Sequence, residues 1–183
     1  HRAVQRYRQF VRARGGVGSA LHCDIQRYFA SIDHVVLRGL LERRIGDDRL
    51  LGLLASLIAH GAERPGIGMP IGNLTSQMFA NLYLDPLDHF VKETLGVRGY
   101  VRYADDFRVF SDSKERLHEV RREMERFLAG LRLVLHDRKT QVVPSSTGVP
   151  FLGFVLYPDG RRRLRREGVR RFRGRLRDLA GDL

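Results

Sequence analysis

The sequence predicts an α+β domain in which a split βαβ pattern forms an antiparallel sheet covered by helices. The order of the predicted elements supports this class. From residue 20 onward, the predicted elements follow the order strand, helices, strand hairpin, helix, strand. In such a fold, the strand that carries Asp24 and the hairpin that carries Asp105 lie side by side, although they are far apart in the sequence.

Length and composition limit the classes to which the protein can belong. The 183 residues are 43% hydrophobic, which is enough for one domain with a real core. A single cysteine excludes a disulfide framework and a Cys-based zinc site. No signal peptide is visible, and the longest apolar stretch, 50–59, is too short to span a bilayer. We therefore expect a cytoplasmic protein without a membrane partner and, because the chain starts at His1, a fragment of a longer protein.

The positive charge is concentrated at the two ends of the chain. Residues 1–20 carry five arginines and no acid, a net charge of +5, and residues 161–183 carry ten arginines against three acids, a net charge of +7. Together they account for the whole net charge of +12, so the middle of the chain is neutral. This distribution favours a polyanion such as nucleic acid held at the flanks. An arginine-rich solvated surface is the alternative.

The first half of the chain is predicted from the spacing of its apolar residues. The expected elements are a basic helix at 2–14, a buried strand at 20–25, packing helices at 36–45 and 50–58, and a long helix at 74–95. Asp33 is the expected cap of the first packing helix, and Gly61 ends the second. A Gly/Pro-rich loop at 61–73 precedes the long helix, which Asn73 caps and Pro86 kinks or breaks.

The second half begins with two short strands within 98–111 that flank Asp105 and Asp106. Asp112 and Glu115 then form a predicted capping box for a helix whose buried face runs from 117 to 128. The remaining predicted elements are strands at 131–135, 141–143 and 151–157, and an amphipathic helix at 167–179 with Val169, Phe172, Leu176 and Leu179 inward.

Asp105 and Asp106 stand side by side at the hairpin, behind the small Ala104. Carboxylates at a hairpin tip contribute little to a core, but they can hold a divalent cation. With Asp24 from a neighbouring strand, they suit two magnesium ions about 3.5–4 Å apart, since Mg²⁺ prefers a few carboxylates plus phosphate oxygens. A single Asp at a turn more often caps or stays solvated, so the hypothesis depends on the joint pattern.

Five short motifs carry a resemblance to a known family. They are Asp-Ile-Gln-Arg-Tyr-Phe at 24–29, Gly-Met-Pro-Ile-Gly-Asn-Leu-Thr-Ser-Gln at 68–77, Tyr-Ala-Asp-Asp at 103–106, Lys-Thr at 139–140 and Phe-Leu-Gly-Phe at 151–154. Together they resemble the palm of a bacterial reverse transcriptase of the group II intron, retron and diversity-generating retroelement kind. The resemblance implies a ferredoxin-like polymerase palm with partial fingers over 1–160 and the start of a basic thumb helix over 161–183.

The resemblance also implies an activity, RNA-directed DNA polymerase, in which a dNTP is joined to a primer 3′-hydroxyl on an RNA template. Two Mg²⁺ ions, with Mn²⁺ as a substitute, would lie on Asp24, Asp105, Asp106 and the carbonyl of Ile25. Asp106 is expected to support the site less directly, because successive residues in a strand point opposite ways. Lys139 resembles a lysine that protonates the pyrophosphate leaving group, although a solvated turn lysine is equally expected.

Further binding residues follow from the same resemblance. Phe29 would lie against the sugar of the incoming nucleotide and leave no room for a 2′-hydroxyl, unless it is an ordinary core aromatic. Gly72 would lie under the templating pair, where a missing side chain allows close approach. The other residues implied to bind nucleotide or nucleic acid are Tyr28, Ile71 and Gln77, the hairpin residues Phe151, Leu152 and Gly153, and the thumb arginines Arg170, Arg171 and Arg173.

Two positions depart from the common pattern of the family. Ile71 stands where Gln is usual, and Gln77 stands where Pro is usual. The form Ile-Gly-x-x-x-Ser-Gln resembles the diversity-generating retroelement subgroup, whose enzymes are error-prone opposite template adenines. Because Ile cannot hydrogen-bond a base, looser template positioning is expected. No further fingers segments are visible before His1 and only one thumb helix follows, so this chain alone need not be a competent polymerase.

Two other functions remain open. One is a defence-type relative that makes DNA without a conventional template or from its own structured RNA. The other is a non-catalytic palm that only binds RNA, against which the intact carboxylates Asp24, Asp105 and Asp106 argue. The expected partners are an RNA template, a DNA or RNA primer, dNTP, and an accessory protein or structured RNA of a retroelement.

Overall fold

The computed structural model describes residues 5, 9, 10, 18–60, 62 and 64–181, with no side-chain description for residues 179–181. Residues 5, 9 and 10 are helical, whereas the rest of the basic helix expected at 2–14 lies outside the described residues. The predicted helix end at Gly61 also lies outside them. Among the described helices, none combines the length and hydropathy that a bilayer-spanning segment needs.

A four-stranded antiparallel sheet forms the centre of the domain. Its strands are β1 (Ser19–Asp24), β2 (Tyr100–Tyr103), β3 (Asp106–Ser111) and β4 (Gln141–Pro144), in the spatial order β2-β3-β1-β4. The first strand therefore lies between two strands that come much later in the sequence. The predicted α+β class and its split sheet are confirmed.

Helices complete the domain. They are α1 (Tyr28–Ser31), α2 (His34–Glu42), α3 (Asp48–His60), α4 (Leu74–Tyr83), α5 (Asp85–His89), a π-helical segment (Phe90–Thr94), α6 (Lys114–Gly130) and α7 (Arg166–Gly181). Asp33 caps α2 as predicted, because its carboxylate accepts from the amides of Val35 and Val36. The predicted long helix is broken at Leu84, and Pro86 lies in the first turn of α5.

Two clusters of buried side chains form the core. The larger joins β1 and β3 to the helices through residues such as Leu21, Phe107 and Tyr83. The smaller joins Ala20 and Phe110 of the central sheet to a second sheet. That sheet has the order β5-β6-β7 and consists of β5 (Val149–Phe151), β6 (Phe154–Leu156) and β7 (Arg162–Leu164). The β5–β6 hairpin is thus seated on the central sheet.

The strand predicted at 131–135 is wrong. Arg132 adopts a left-handed φ of 55°, and the amide of Leu133 donates to the carbonyl of Leu128, which closes the end of α6. Leu135 then forms only an isolated bridge with Ile25. The apolar run serves to end a helix and return the chain to the core.

The single strand predicted at 151–157 is also wrong, because a turn divides it. Leu152 and Gly153 both have positive φ, 49° and 81°, as a two-residue hairpin turn of this hand requires. The result is the hairpin that the family resemblance implied at this position.

Two further predictions need correction. The N-cap of α6 is Ser113 rather than Asp112, since the hydroxyl of Ser113 accepts from the amide of Arg116 and donates to Glu115. Of the residues expected to face inward on the last helix, Val169 is half-buried and the side chain of Leu179 lies outside the described part of the chain, but Phe172 and Leu176 are exposed, at 63% and 49%. They are exposed because α7 adds nothing to either core cluster of the described domain.

Candidate active site

The register of the central sheet brings three carboxylates to one end. Asp24 is the last residue of β1 and lies opposite Asp106, the first residue of β3. Tyr103 pairs with Asp106 across the β2–β3 hairpin, so Ala104 and Asp105 form a two-residue turn. Ala104 has a left-handed φ of 52°, as a turn of this type requires. Asp105 therefore lies at the hairpin tip, beside the end of β1.

The electrostatics of Asp105 reflect this convergence. Burial raises the pKa of Asp105 above its usual value, and the charge of Asp24 acts in the same direction. A hydrogen bond from the amide of Asp105 itself and the charge of Lys139 oppose this change. Carboxylates that repel one another in a partly buried site favour a bound cation. Asp24 and Asp105 thus form a pair that a metal ion would stabilise.

Asp106 differs from its neighbour because it already has a cationic partner. Burial raises the pKa of Asp106, while the guanidinium of Arg108 opposes the change by charge and by hydrogen bonding. Nη1 of Arg108 donates to the carboxylate of Asp106, and the Arg108 side chain is 8% exposed. Asp106 is therefore held by a buried arginine, whereas the partner of Asp24 is the exposed Lys139.

Lys139 also lies at the site. Its Nζ is 3.0 Å from Oδ1 of Asp24, and the Lys139 side chain is 58% exposed. Lys139 therefore lies beside the carboxylates, in an ion pair with Asp24.

The donor set fits a magnesium site of the kind that substrate phosphates complete. Among the described residues, no three His, Cys, Asp or Glu side chains group closely enough to hold a metal on their own. Magnesium, however, usually binds one or two protein carboxylates and fills its shell with water and phosphate oxygens. The bridge between Ile25 and Leu135 uses the carbonyl of Asp24 and the amide of Gln26, so this ladder leaves the Ile25 carbonyl unused.

A cavity of about 790 Å³ adjoins the hairpin turn. Phe29, Ile71, Gly72 and Gln77, four of the five residues expected to bind nucleotide, line it together with Ala104. The fifth, Tyr28, contributes no surface to the cavity. It is 2% exposed, and its hydroxyl donates to the carbonyl of Ala80.

Backbone hydrogen bonds tie the glycine-rich loop to the segment that carries Phe29. The amide of Met69 donates to the carbonyl of Phe29 at 2.8 Å, and the amide of Gly68 donates to that of Ile32 at 2.8 Å. Gly68 has a φ of +89°, and a Cβ there would lie 3.4 Å from the carbonyl oxygen of Ala30. The contact itself is of ordinary van der Waals length, but the positive φ favours glycine at this position. The two hydrogen bonds therefore fix the position of the cavity wall at 71–72 relative to Phe29.

Arg102 forms another wall of the cavity, and sequence reasoning missed it. Its Nε and Nη2 donate to the two carboxylate oxygens of Asp88 at 2.8 and 2.6 Å. Nη1 donates to Oδ1 of Asn81 at 3.2 Å and to the carbonyl of Ala104 at 3.1 Å. The hydroxyl of Tyr100 donates to Asp88 at 2.7 Å. This network braces the turn that carries Asp105.

The expected nucleic-acid residues lie on the β5–β6 hairpin and on α7. Phe151 is 1% exposed, whereas Leu152 and Gly153 form the turn, so only the turn can present surface to a ligand. On the helix, Arg170 and Arg173 line a groove of about 340 Å³, and Arg171 pairs with Glu167 at 3.2 Å. None of these six residues lines the cavity beside Asp105.

The sheet and its carboxylate hairpin define the palm of a nucleic acid polymerase. The chain belongs to the reverse transcriptase (RNA-dependent DNA polymerase) family, whose pattern matches residues 2–156. This confirms the family that the motifs indicated.

Two curated relatives support the assignment. Protein YkfC of Escherichia coli K12 is 27% identical over 172 residues, covering 73% of this chain and 45% of that protein. The group II intron-encoded protein LtrA of Lactococcus lactis subsp. cremoris is 25% identical over 224 residues, covering 85% of this chain and 36% of that protein. The chain thus spans less than half the length of these relatives.

Solved structures of low identity share the fold. Apo telomerase from Candida tropicalis, truncated from the C-terminal domain, superposes with a TM-score of 0.67 at 13% identity, covering 90% of this chain and 39% of that one. Telomerase from Candida albicans in complex with a fragment of telomeric RNA gives 0.66 at 16% identity, covering 90% and 33%.

Proposed function

We propose that this chain is the catalytic palm of an RNA-directed DNA polymerase, which adds dNTPs to a primer 3′-hydroxyl on an RNA template. The observation that carries the proposal is the strand register that brings Asp24 and Asp105 to one end of the sheet, beside a cavity lined by Phe29 and Gly72. Family membership and the RNA-bound telomerase of the same fold agree with it.

Asp24, Asp105 and the carbonyl of Ile25 are the proposed holders of two Mg²⁺ ions, for which Mn²⁺ can substitute. When bound, these ions lower the pKa of the attacking hydroxyl and neutralise charge on the departing pyrophosphate. Asp106 stabilises the hairpin and adds negative potential to the site through its position next to Asp105.

Lys139 is the proposed donor of a proton to the pyrophosphate. Its Nζ lies 3.0 Å from Oδ1 of Asp24, which holds the side chain beside the place where the leaving group would depart. Its high exposure allows it to leave Asp24 when a triphosphate enters.

Phe29 and the glycine-rich loop are the proposed selectors of substrate. The half-buried Phe29 presents its ring to the cavity, so a ribose 2′-hydroxyl would collide with it. Gly72 lies open, with nothing within 4 Å of where a Cβ would be, which leaves room for a base pair. Tyr28 supports Phe29 from the core by an edge-to-face contact, with ring centroids 5.6 Å apart.

The nucleic acid duplex is proposed to lie along the turn of the β5–β6 hairpin and the arginine-rich helix α7. The Leu152–Gly153 turn would contact the primer strand. Arg170 and Arg173 would contact phosphates, while Arg171 would first have to exchange its partner Glu167.

We also infer that the chain belongs to the diversity-generating retroelement subgroup. Ile71 is 84% exposed and lines the cavity, so an apolar side chain stands where a hydrogen-bonding one would hold the template. Error-prone synthesis opposite template adenines is what the resemblance to this subgroup implies. Ile71→Gln should reduce misincorporation at adenine several-fold by sequencing of products, and an unchanged error spectrum would contradict the assignment.

Primer extension with the complete gene product tests the main proposal. The wild-type protein should extend a DNA primer on an RNA template with dNTPs and Mg²⁺. Asp105→Asn should lower the rate by at least about 10²-fold, the scale of removing one group that stabilises transition-state charge. Asp48→Asn, at an exposed carboxylate in the first turn of α3, is the matched control and should leave the rate unchanged. Retention of activity in Asp105→Asn would reject the proposal.

A further inference from the structure

Arg108 is a buried cation in the middle of β3. Only 7% of the residue is exposed, and its neighbours in the strand, Phe107 and Val109, are buried apolar residues. A buried charge is costly unless it is paired and hydrogen-bonded. The partners of Arg108 must therefore explain why a buried arginine is tolerated at this position.

The guanidinium of Arg108 contacts both the carboxylate site and the second sheet. Nη1 donates to the carboxylate of Asp106 and, at 2.8 Å, to the carbonyl of Phe107. Nη2 donates to the carbonyl of Pro150 in β5 at 3.1 Å. The guanidinium carbon lies 5.5 Å from the centroid of the Phe151 ring. One side chain thus joins the catalytic end of β3 to the β5–β6 hairpin.

Apolar contacts alone would leave this junction free to slide. The hairpin rests on the central sheet through Ala20, Val101 and Phe110, and such packing has little directional preference. Hydrogen bonds from a rigid planar fork fix both distance and angle. Arg108 therefore sets where the hairpin lies relative to Asp106.

We propose that Arg108 is a positioning residue that fixes the β5–β6 hairpin against the Asp105–Asp106 turn, so that a primer end held by the hairpin meets the carboxylate pair. This rests on the proposed polymerase function. It also assigns Asp106 the role of an anchor for Arg108, whereas Asp24 and Asp105 remain the pair that faces a cation.

The identity of the side chain is part of the inference. Lysine has one ammonium, which cannot serve the Asp106 carboxylate and the Pro150 carbonyl in fork geometry while lying over the Phe151 ring. Arg108→Lys preserves the charge and removes only the bridge. A displacement of about 1 Å at a reacting group can reduce the rate about 10²-fold.

The test uses the complete gene product, first shown to be active as wild type and inactive as Asp105→Asn. Failure of that step rejects the polymerase function and is thereby distinguished from failure of the Arg108 proposal. Single-nucleotide addition is then measured on a saturating primer–template for Arg108→Lys and Arg108→Met. Arg122→Met, which removes an exposed arginine of α6, is the matched control.

The proposal predicts that Arg108→Lys melts within a few degrees of wild type but adds nucleotide at least about 10-fold more slowly, with the KM for dNTP unchanged. Hydrogen exchange of residues 149–156 should accelerate in the same variant. An unchanged rate, a rise in KM that accounts for the whole effect, or unaltered exchange in the hairpin would overturn it. If Arg108→Met does not fold, Arg108→Lys decides, and failure of both to fold would make the role purely structural.

Discussion

Removing the charge of Arg102 should destabilise the domain strongly. Arg102 and Asp88 form a bidentate pair at 2.6 and 2.8 Å, with side chains only 10% and 21% exposed. Asp88 also accepts from the hydroxyl of Tyr100. In Arg102→Met, the carboxylate keeps that bond but loses its counter-ion while its side chain is only 21% exposed.

The magnitude follows from this burial. Breaking a largely buried ion pair by removing one partner costs about 3–5 kcal/mol. For a chain of this length, each kcal/mol lowers the melting temperature by about 2–4 °C, so Arg102→Met should melt about 6–20 °C below wild type. Replacing both partners, as in Arg102→Met with Asp88→Leu, should recover much of this loss because no buried charge is left alone.

Urea and thermal unfolding of the two single variants and the double variant give the coupling energy directly. Arg116→Met, at an arginine 47% exposed, is the control and should cost less than about 1 kcal/mol. A loss below about 1 kcal/mol in Arg102→Met, or additive effects in the double variant, would refute the idea that this pair braces the turn.

Three further variants test other parts of the structure. Phe29→Val should lower the preference for dNTP over rNTP by about 10–100-fold in kcat/KM, since the ring no longer meets the 2′-hydroxyl; an unchanged ratio would indicate a core role. Lys139→Arg should slow single-turnover addition about 10²-fold or more, because arginine keeps the charge beside Asp24 but cannot release a proton; a wild-type rate would remove the acid role. The pKa of Asp33 is lowered because, although burial opposes this, hydrogen bonds from Val36 and Arg132 outweigh it. Its stabilisation is therefore present above the unfolded pKa of about 4 and lost as pH falls through the folded pKa. Asp33→Asn should thus be less stable than wild type at pH 7 in urea unfolding, with the gap closing in acid; a gap independent of pH would contradict this.

The sequence predicts the features that the order of elements or local chemistry decides. The order of elements predicts that Asp24 and the Asp105 turn meet, because the first strand of a split sheet lies beside the later hairpin. The carboxylate of Asp33 predicts its cap, since the orphan amides of a first helical turn are within its reach. The motifs around Phe29 and Gly72 predict that these residues share one site, and they line the same cavity.

The sequence is uninformative where the partner is distant. A lone arginine in an apolar strand gives no sign that Arg102 reaches Asp88 or that Arg108 reaches Pro150. Residues 111–113 contain three side chains that can cap a helix, so local pattern could not select Ser113. The positive φ of Leu152 is rare for leucine, and an apolar run concealed the turn.

The burial predicted for the apolar face of the last helix is wrong for a related reason. Periodicity at 167–179 correctly gives a helix, α7, whose apolar residues share one face. Whether that face is covered depends on tertiary neighbours, which a period does not specify. Phe172 and Leu176 consequently remain exposed in the described domain.

The most direct test of the central claim compares Asp24→Asn, Asp105→Asn and Asp106→Asn in single-turnover primer extension on an RNA template with Mg²⁺. If Asp24 and Asp105 are the pair that serves the reaction, both of their variants should lose activity by at least about 10²-fold. Asp106→Asn should retain measurable extension, because Asp106 is committed to Arg108. Equal loss in all three variants would contradict the division of roles, and wild-type rates in Asp24→Asn or Asp105→Asn would contradict the active site itself.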